Sequence, residues 1–138
     1  MKYVLDSSVA LKWALPEADT PTAIRLRDEY RGRAHELVAP DFFPLEVAHA
    51  LTRAERQRRI PQGSGWGLWQ KVMLDRPTML RWHPLMPRAF ELSSKMRVGV
   101  YDCVYVALAE QEQCRVVTAD QRLLNTFPAQ TVALTSVP

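Results

Sequence analysis

The chain has 138 residues, 47% of them hydrophobic and 24% charged, with 18 Lys+Arg against 15 Asp+Glu and a net charge of +3. A chain of this size can bury about 68% of its extended surface, so it supports a core without disulfide or metal staples, and its apolar fraction excludes a disordered polymer. The longest uncharged stretch, residues 123–138, is broken by Pro128 and polar residues and falls short of the roughly 20 apolar residues of a membrane span. An acid at position 6 interrupts any secretory apolar stretch, and Cys103 and Cys114 are too few for a disulfide framework and lack zinc-site spacing. The expectation is one cytoplasmic domain over residues 1–138 with reduced thiols. The modest basic excess is compatible with a polyanionic partner but does not select one.

In chain order, Tyr3 to Leu5 reads as a strand that meets the capping cluster Asp6-Ser7-Ser8 and then a helical pattern from Val9 to Leu15. After a break from Pro16 to Pro21, Ala23, Ile24, Leu26 and Tyr30 mark an amphipathic helix. Leu37 to Ala39 is a short strand ended by Pro40. From Phe43 to about Arg59, the residues Phe43, Val47, Ala50, Leu51 and Ala54 share one helical stripe. Pro61 to Gly67 is punctuation, followed by a short helix through Trp69, Val72 and Met73 and a strand from Met79 to Trp82. Residues 86–96 read as a helix. Residues 98–109 are apolar on every face except for Asp102, as in a helix buried within the domain. A strand at Arg115 to Thr118, a turn into a helix at Ala119 to Leu124, and a strand at Thr131 to Leu134 complete the pattern. Short apolar strands alternating with helices predict an α/β fold with a parallel sheet covered on both faces.

Asp6 and Asp120 each stand at or just past the end of an apolar strand, the edge where open α/β sheets bind ligands. Asp102 heads an otherwise apolar helix, where an isolated charge is costly unless paired, hydrogen-bonded or coordinating. Glu46 lies at the border of its helix's apolar stripe, from which it can reach into a cleft. Four acids therefore become candidates for one pocket. Gathered carboxylates repel unless a cation sits between them, and hard oxygen ligands without thiolate or imidazole favour Mg²⁺ or Mn²⁺. Such a site can activate water against a phosphodiester.

Each acid also has a plainer reading. Asp6, Asp102 and Asp120 stand near helix starts, where Asp stabilises as a cap by about 0.5–2 kcal/mol, and Glu46 taken alone is a solvated border residue. On that account the protein is a non-catalytic binding or regulatory module. A phosphatase with an aspartyl nucleophile usually carries a second acid two positions on, and position 8 is Ser.

Four segments, Tyr3 to Trp13, Ala39-Pro40-Asp41 with Glu46 to Leu51, Tyr101 to Ala109, and Val117 to Leu123, resemble the successive motifs of PIN-domain ribonucleases, specifically the VapC-type toxins of bacterial toxin–antitoxin pairs. The resemblance runs almost end to end. It implies a three-layer α/β/α domain with five parallel strands and an acidic pocket for one or two Mg²⁺ or Mn²⁺ ions. It also implies endoribonuclease activity, a cognate antitoxin and a homodimer. By position, Asp6 and Asp102 match the strongest metal ligands, Glu46 and Asp120 the remaining acids, and Ser8 and Thr118 fall where the family often keeps a hydroxyl. Cys103 stands where a small residue such as Ala is usual, and His49 where Asn or Ala is common.

The cluster Arg53, Arg56, Arg58 and Arg59 reads either as a track for RNA phosphates, with Trp66 and Trp69 as stacking platforms, or as a solvated helix end. Trp13, Leu15 and the face of Ile24, Leu26 and Tyr30 read either as antitoxin contacts or as core.

Overall fold

Five short apolar segments pair side by side in one direction. The computed structural model describes residues 1–138, with strands β1 (Lys2–Leu5), β2 (Glu36–Pro40), β3 (Thr78–Leu80), β4 (Arg115–Thr118) and β5 (Thr131–Ala133). They form one parallel sheet in the order β3-β2-β1-β4-β5. Between them run α1 (Ser7–Leu11), α2 (Thr20–Arg31), α3 (Phe43–Arg56), α4 (Gly65–Met73), α5 (Met86–Met96), α6 (Val100–Gln111) and α7 (Gln121–Thr126), with 3₁₀ turns at His83–Leu85 and Leu134–Ser136. The expected α/β sheet of five strands is what the chain forms.

Successive side chains of a strand point to opposite faces, so burial of three in a row requires cover on both. Tyr3, Val4 and Leu5 of the central strand are all buried, as are Val116 and Val117 beside them. The sheet is therefore the middle of three layers. Helix α6 explains its own composition: Cys103 to Ala109 are buried without a gap, and the helix packs against β1, β2, β4 and α5. Trp13, Leu15, Ala23 and Leu26 are buried, with the Trp13 indole N–H donating to the Ala23 carbonyl at 2.9 Å. Ile24 and Tyr30 pack against the same core. Of the two readings of this region, core is correct. Both cysteines are free thiols, and no helix is long and apolar enough to cross a membrane.

The element ends depart from periodicity for local reasons. Helix α1 stops at Leu11 and not Leu15, where the backbone tightens into turns in which Lys12, Trp13 and Ala14 donate to Val9, Ala10 and Leu11, and the buried Lys12 ammonium pairs with Glu17 at 2.7 Å and Asp19 at 2.8 Å. Helix α3 stops at Arg56, because Arg58 adopts a left-handed backbone with φ 58°. Helix α4 starts inside the expected punctuation, where the Gly65 N–H binds Glu55 at 2.8 Å. Strand β3 ends two residues early, where the Trp82 N–H bonds to the Asp41 carboxylate at 3.1 Å and the chain enters a 3₁₀ turn.

Because α6 lies at the centre of the packing, truncating it leaves a void that neighbours cannot fill. Leu108 is fully buried, and Leu108→Ala is expected to cost about 2–5 kcal/mol in urea unfolding with an unchanged denaturant slope. A loss under about 1 kcal/mol would contradict this packing.

Candidate active site

The strand order makes β1 and β4 adjacent although over a hundred residues separate them. The chain winds outward from β1 through β2 to β3, then returns to β4 on the other side, and that reversal opens a crevice at the carboxyl ends of the two strands. Asp6 follows β1 directly, and Asp120 lies two residues past β4.

Asp6 stands at the N-cap position of α1 but does not cap it. Its Oδ2 instead accepts two hydroxyls, Ser8 Oγ and Thr118 Oγ1, each at 2.7 Å. Each hydroxyl in turn accepts a backbone N–H from the β4–α7 turn: Ala119 N to Ser8 Oγ at 3.2 Å and Asp120 N to Thr118 Oγ1 at 3.0 Å. One carboxylate oxygen thus ties the two strand exits together, and the second is not needed to hold the side chain.

Asp120 behaves as the cap that its sequence context suggests. Its Oδ1 accepts the N–H groups of Arg122 at 2.9 Å and Leu123 at 3.4 Å, which fixes the carboxylate at the start of α7. Glu46, in the first turn of α3, is held by a residue that periodicity alone did not single out: the buried Tyr105 donates its O–H to Glu46 Oε1 at 2.6 Å. The Tyr105 ring packs edge-on against Phe42, immediately before α3, at 5.7 Å. A tyrosine three residues after Asp102 shares its helix face, and a buried hydroxyl on an apolar helix needs a partner. That spacing was the available signal. Asp102 lies in the first turn of α6 and is not its cap residue, which is Gly99. Its carboxylate accepts no hydrogen bond from the chain.

The four acids feel one another. Burial raises the Asp6 carboxyl above its ordinary value, the Ser8 and Thr118 hydroxyls pull it back, and the charge of Asp120 pushes it up. Burial, with the charges of Asp6 and Asp102, lifts Glu46 to about 7 against the hydrogen bond from Tyr105. Burial and the charges of Asp6 and Asp120 lift Asp102 to about 6, and the Arg122 guanidinium draws it down. Each of the four thus acts on another or is acted on by it, with Asp6 as the hub. They form a field of negative charge and not a closed cage: no three carboxylate, imidazole or thiol groups are gathered tightly enough to hold an ion by themselves. His49 is exposed on α3 and stands on an apolar groove of about 900 Å³ that begins at Ser7 and Glu46 and is walled by Phe42, Trp82 and Tyr101.

The fold is a parallel α/β domain with mutually repelling carboxylates at the carboxyl edge of its sheet. A family model described as the PIN domain matches residues 3–126. Ribonuclease VapC3 of Pyrobaculum aerophilum is 29% identical over 131 residues, covering 94% of this chain and 97% of that protein. Ribonuclease VapC9 of Mycobacterium tuberculosis is 31% identical over 131 residues, covering 88% and 96%. The chain belongs to the PIN-domain family and, within it, to the VapC ribonucleases. Among solved structures, PAE2754 of Pyrobaculum aerophilum superposes with a TM-score of 0.71 at 20% identity, covering 99% of this chain and 94% of that one. VapBC2 of Rickettsia felis, bound to a promoter DNA fragment, gives 0.63 at 11% identity, covering 96% and 97%. Both likenesses are of fold.

Without cations the pocket must penalise folding at neutral pH. Glu46 rises from 4.5 to about 7 and Asp102 from 3.8 to about 6 on folding, so across that window the folded chain holds protons that the unfolded chain has released. Stability in EDTA is therefore expected to fall as pH rises from about 4 to 7 and then to level off. Glu46→Gln should flatten the upper part of that fall, and Tyr105→Phe, which removes a donor to the charged form, should move it to higher pH. A melting temperature in EDTA that is flat over this range for the parent would contradict the coupling.

Proposed function

We propose that this chain is a divalent-cation-dependent endoribonuclease, the toxin of a toxin–antitoxin pair, with Asp6, Glu46, Asp102 and Asp120 as its cation-holding and catalytic carboxylates. The observation that carries the reading is the convergence of four acids from four elements on one crevice, three of them with proton affinities raised by burial and by one another.

The donor set fits a hard cation. It consists of carboxylate oxygens, and Mg²⁺ or Mn²⁺ at such a site is held by few protein ligands, with water and substrate phosphate filling the remaining positions. That loose demand agrees with a pocket that does not close into a cage. A bound divalent ion supplies Lewis-acid stabilisation of charge on the phosphate and acidifies water in the crevice.

The chain's own residues fix the geometry. Ser8 and Thr118 lock one oxygen of Asp6, Tyr105 locks one oxygen of Glu46, and the α7 amides lock one oxygen of Asp120. In each case the other oxygen is left for the crevice. The reaction adds water across an ester P–O bond: the water oxygen bonds to phosphorus, the ester bond breaks in line, and one water proton ends on the leaving ribose oxygen. No protein nucleophile is required, and Arg122 beside Asp102 offers positive charge to the phosphate.

Relatives named as VapC ribonucleases and a fold neighbour named as a VapBC complex support a small cognate antitoxin as partner and RNA as substrate. A homodimer is the assembly that accompanies this reading. The alternative, acids that only cap helices, accounts for Asp120 but not for Asp6, which makes no cap hydrogen bond.

Asp6→Asn and Asp102→Asn are the direct test. Each is expected to reduce Mn²⁺-dependent RNA cleavage by more than about 100-fold and to reduce the rise in melting temperature on adding Mn²⁺, while the far-ultraviolet dichroism of the fold is kept. If both variants cleave as fast as the parent, the site assignment is wrong.

A further inference from the structure

Four arginines cluster at the far end of α3. Arg25, Arg27, Arg31 and Arg88 are paired with carboxylates at 2.6–3.4 Å. Arg53, Arg56, Arg58 and Arg59 are all exposed and pair with none. The acid among them, Glu55, is committed elsewhere. Its Oε1 accepts the Gly63 N–H at 2.9 Å and its Oε2 the Gly65 N–H at 2.8 Å, and these two amides hold its carboxyl below the usual range. The clasp depends on glycine, since a Cβ on Gly65 would stand 2.6 Å from Glu55 Oε2. Four guanidiniums are thus left without an ion-pair partner, although the Glu55 carboxylate lines the same concavity.

They also stand at a shaped surface. Thr52, Arg56, Arg58, Arg59, Ile60 and Pro61 help line an open concavity of about 690 Å³. The helix dipole accounts for cations within the last turn, but Arg58 and Arg59 lie beyond it. Arg58 holds a left-handed conformation in which Gly or Asn would be relaxed. On the adjoining first turn of α4, Trp66 is 65% exposed and stacks on Trp69 with ring centres 5.2 Å apart and planes 10° apart. Trp69 is pinned by its indole N–H, which donates to the Pro44 carbonyl at 2.9 Å. The exposed ring therefore rests on a fixed support. Unpaired guanidiniums and an exposed, supported aromatic on the adjoining helix are elements of single-strand nucleic-acid binding.

The register of α3 relates this surface to the acids. Arg53 follows Glu46 by seven residues, which places it on nearly the same side of the helix and about 10 Å along its axis. Arg56 is about 15 Å along. We infer that the α3–α4 corner is a cradle for the RNA backbone, in which Arg53, Arg56, Arg58 and Arg59 take phosphates a few nucleotides from the bond cleaved and Trp66 stacks on a base. The substrate class rests on the ribonuclease reading above; the cradle is an additional site.

Binding is measured by fluorescence anisotropy of a labelled, unstructured single-stranded RNA in EDTA, so that cleavage does not enter. Arg56→Glu/Arg59→Glu is compared with the charge-matched Arg33→Glu/Arg115→Glu, whose positions lie just before β2 and at the start of β4, at the amino ends of the strands. The cradle variant is expected to bind about 10-fold or more weakly than the control, with the slope of log affinity against log salt reduced by about 0.7 for each phosphate no longer neutralised. Trp66→Ala is expected to weaken binding by about 5-fold or more with the slope unchanged. A cradle variant that binds like the control, with the same salt slope, overturns the inference. A parent chain that binds RNA through the cradle but never cleaves it removes the nuclease reading and leaves the cradle standing.

Discussion

Repulsion among carboxylates at the carboxyl end of β1 and β4 is the constraint to which the rest of this structure answers. Asp6 is buried to 7% exposure with no basic side chain against it, a placement that costs free energy unless hydrogen bonds or a cation offset it. The protein supplies hydrogen bonds to one oxygen only. Two hydroxyls from different elements converge on Oδ2, and each hydroxyl is satisfied by a backbone amide of the opposite turn. The arrangement fixes the side chain while leaving its negative charge incompletely satisfied. The same economy recurs at Glu46, through Tyr105, and at Asp120, through the α7 amides. Three of the four carboxylates are thus held by one oxygen each, and a cation would relieve the repulsion among them.

Topology makes the convergence possible. A parallel sheet whose first strand is central must send its chain away on one side and bring it back on the other, and the residues after β1 and β4 then meet without any long loop. Helix α6 supplies the third acid and the anchor for the fourth. Its body is buried from Cys103 to Ala109, so a charge reaches solvent only at its ends: Asp102 in the first turn, and Glu110 in the last, where it pairs with Arg88. One turn on from Asp102, Tyr105 faces the same way and reaches across to α3. The packing that stabilises the domain and the geometry that holds its acids are carried by the same helix.

Much of this was legible in the sequence because burial leaves a periodic record. The runs at Tyr3 to Leu5 and Arg115 to Thr118, the stripe of α3 and the apolar body of α6 follow from patterning, and Asp6, Glu46, Asp102 and Asp120 stand out against them. What periodicity does not record is where a single side chain turns. The tightened turns after Leu11 end α1 early around a buried Lys12, and the left-handed Arg58 ends α3 without the glycine that usually marks such a stop. Nor does spacing distinguish Asp6 from Asp120. Both precede helices, yet only Asp120 caps its helix, because the hydroxyls of Ser8 and Thr118 claim the Asp6 carboxylate first. The Tyr105 to Glu46 bond joins residues 59 apart in sequence and required the fold to be seen.

The distribution of charge then acquires a reason. A crevice of four carboxylates repels a polyphosphate at long range, and a cation in the crevice offsets that repulsion only close by. On the proposed reading, the attraction that brings an RNA strand to the protein must come from elsewhere on the surface. It must also be strong enough to matter and distant enough not to neutralise the acids themselves. Arginines placed beside the pocket would pair with its carboxylates and lower their affinity for a cation, as Arg122 already does in small measure at Asp102. Arginines at the far end of α3 avoid this. The helix is a rigid spacer of about two to three turns between Glu46 and the guanidiniums, and Glu55, the acid that would otherwise quench them, is drawn off by the Gly63 and Gly65 amides. The four guanidiniums and the four carboxylates cancel in the net charge of +3, yet α3 holds them apart, and on the proposed reading that separation lets one surface attract the strand while the other keeps its charge for a cation.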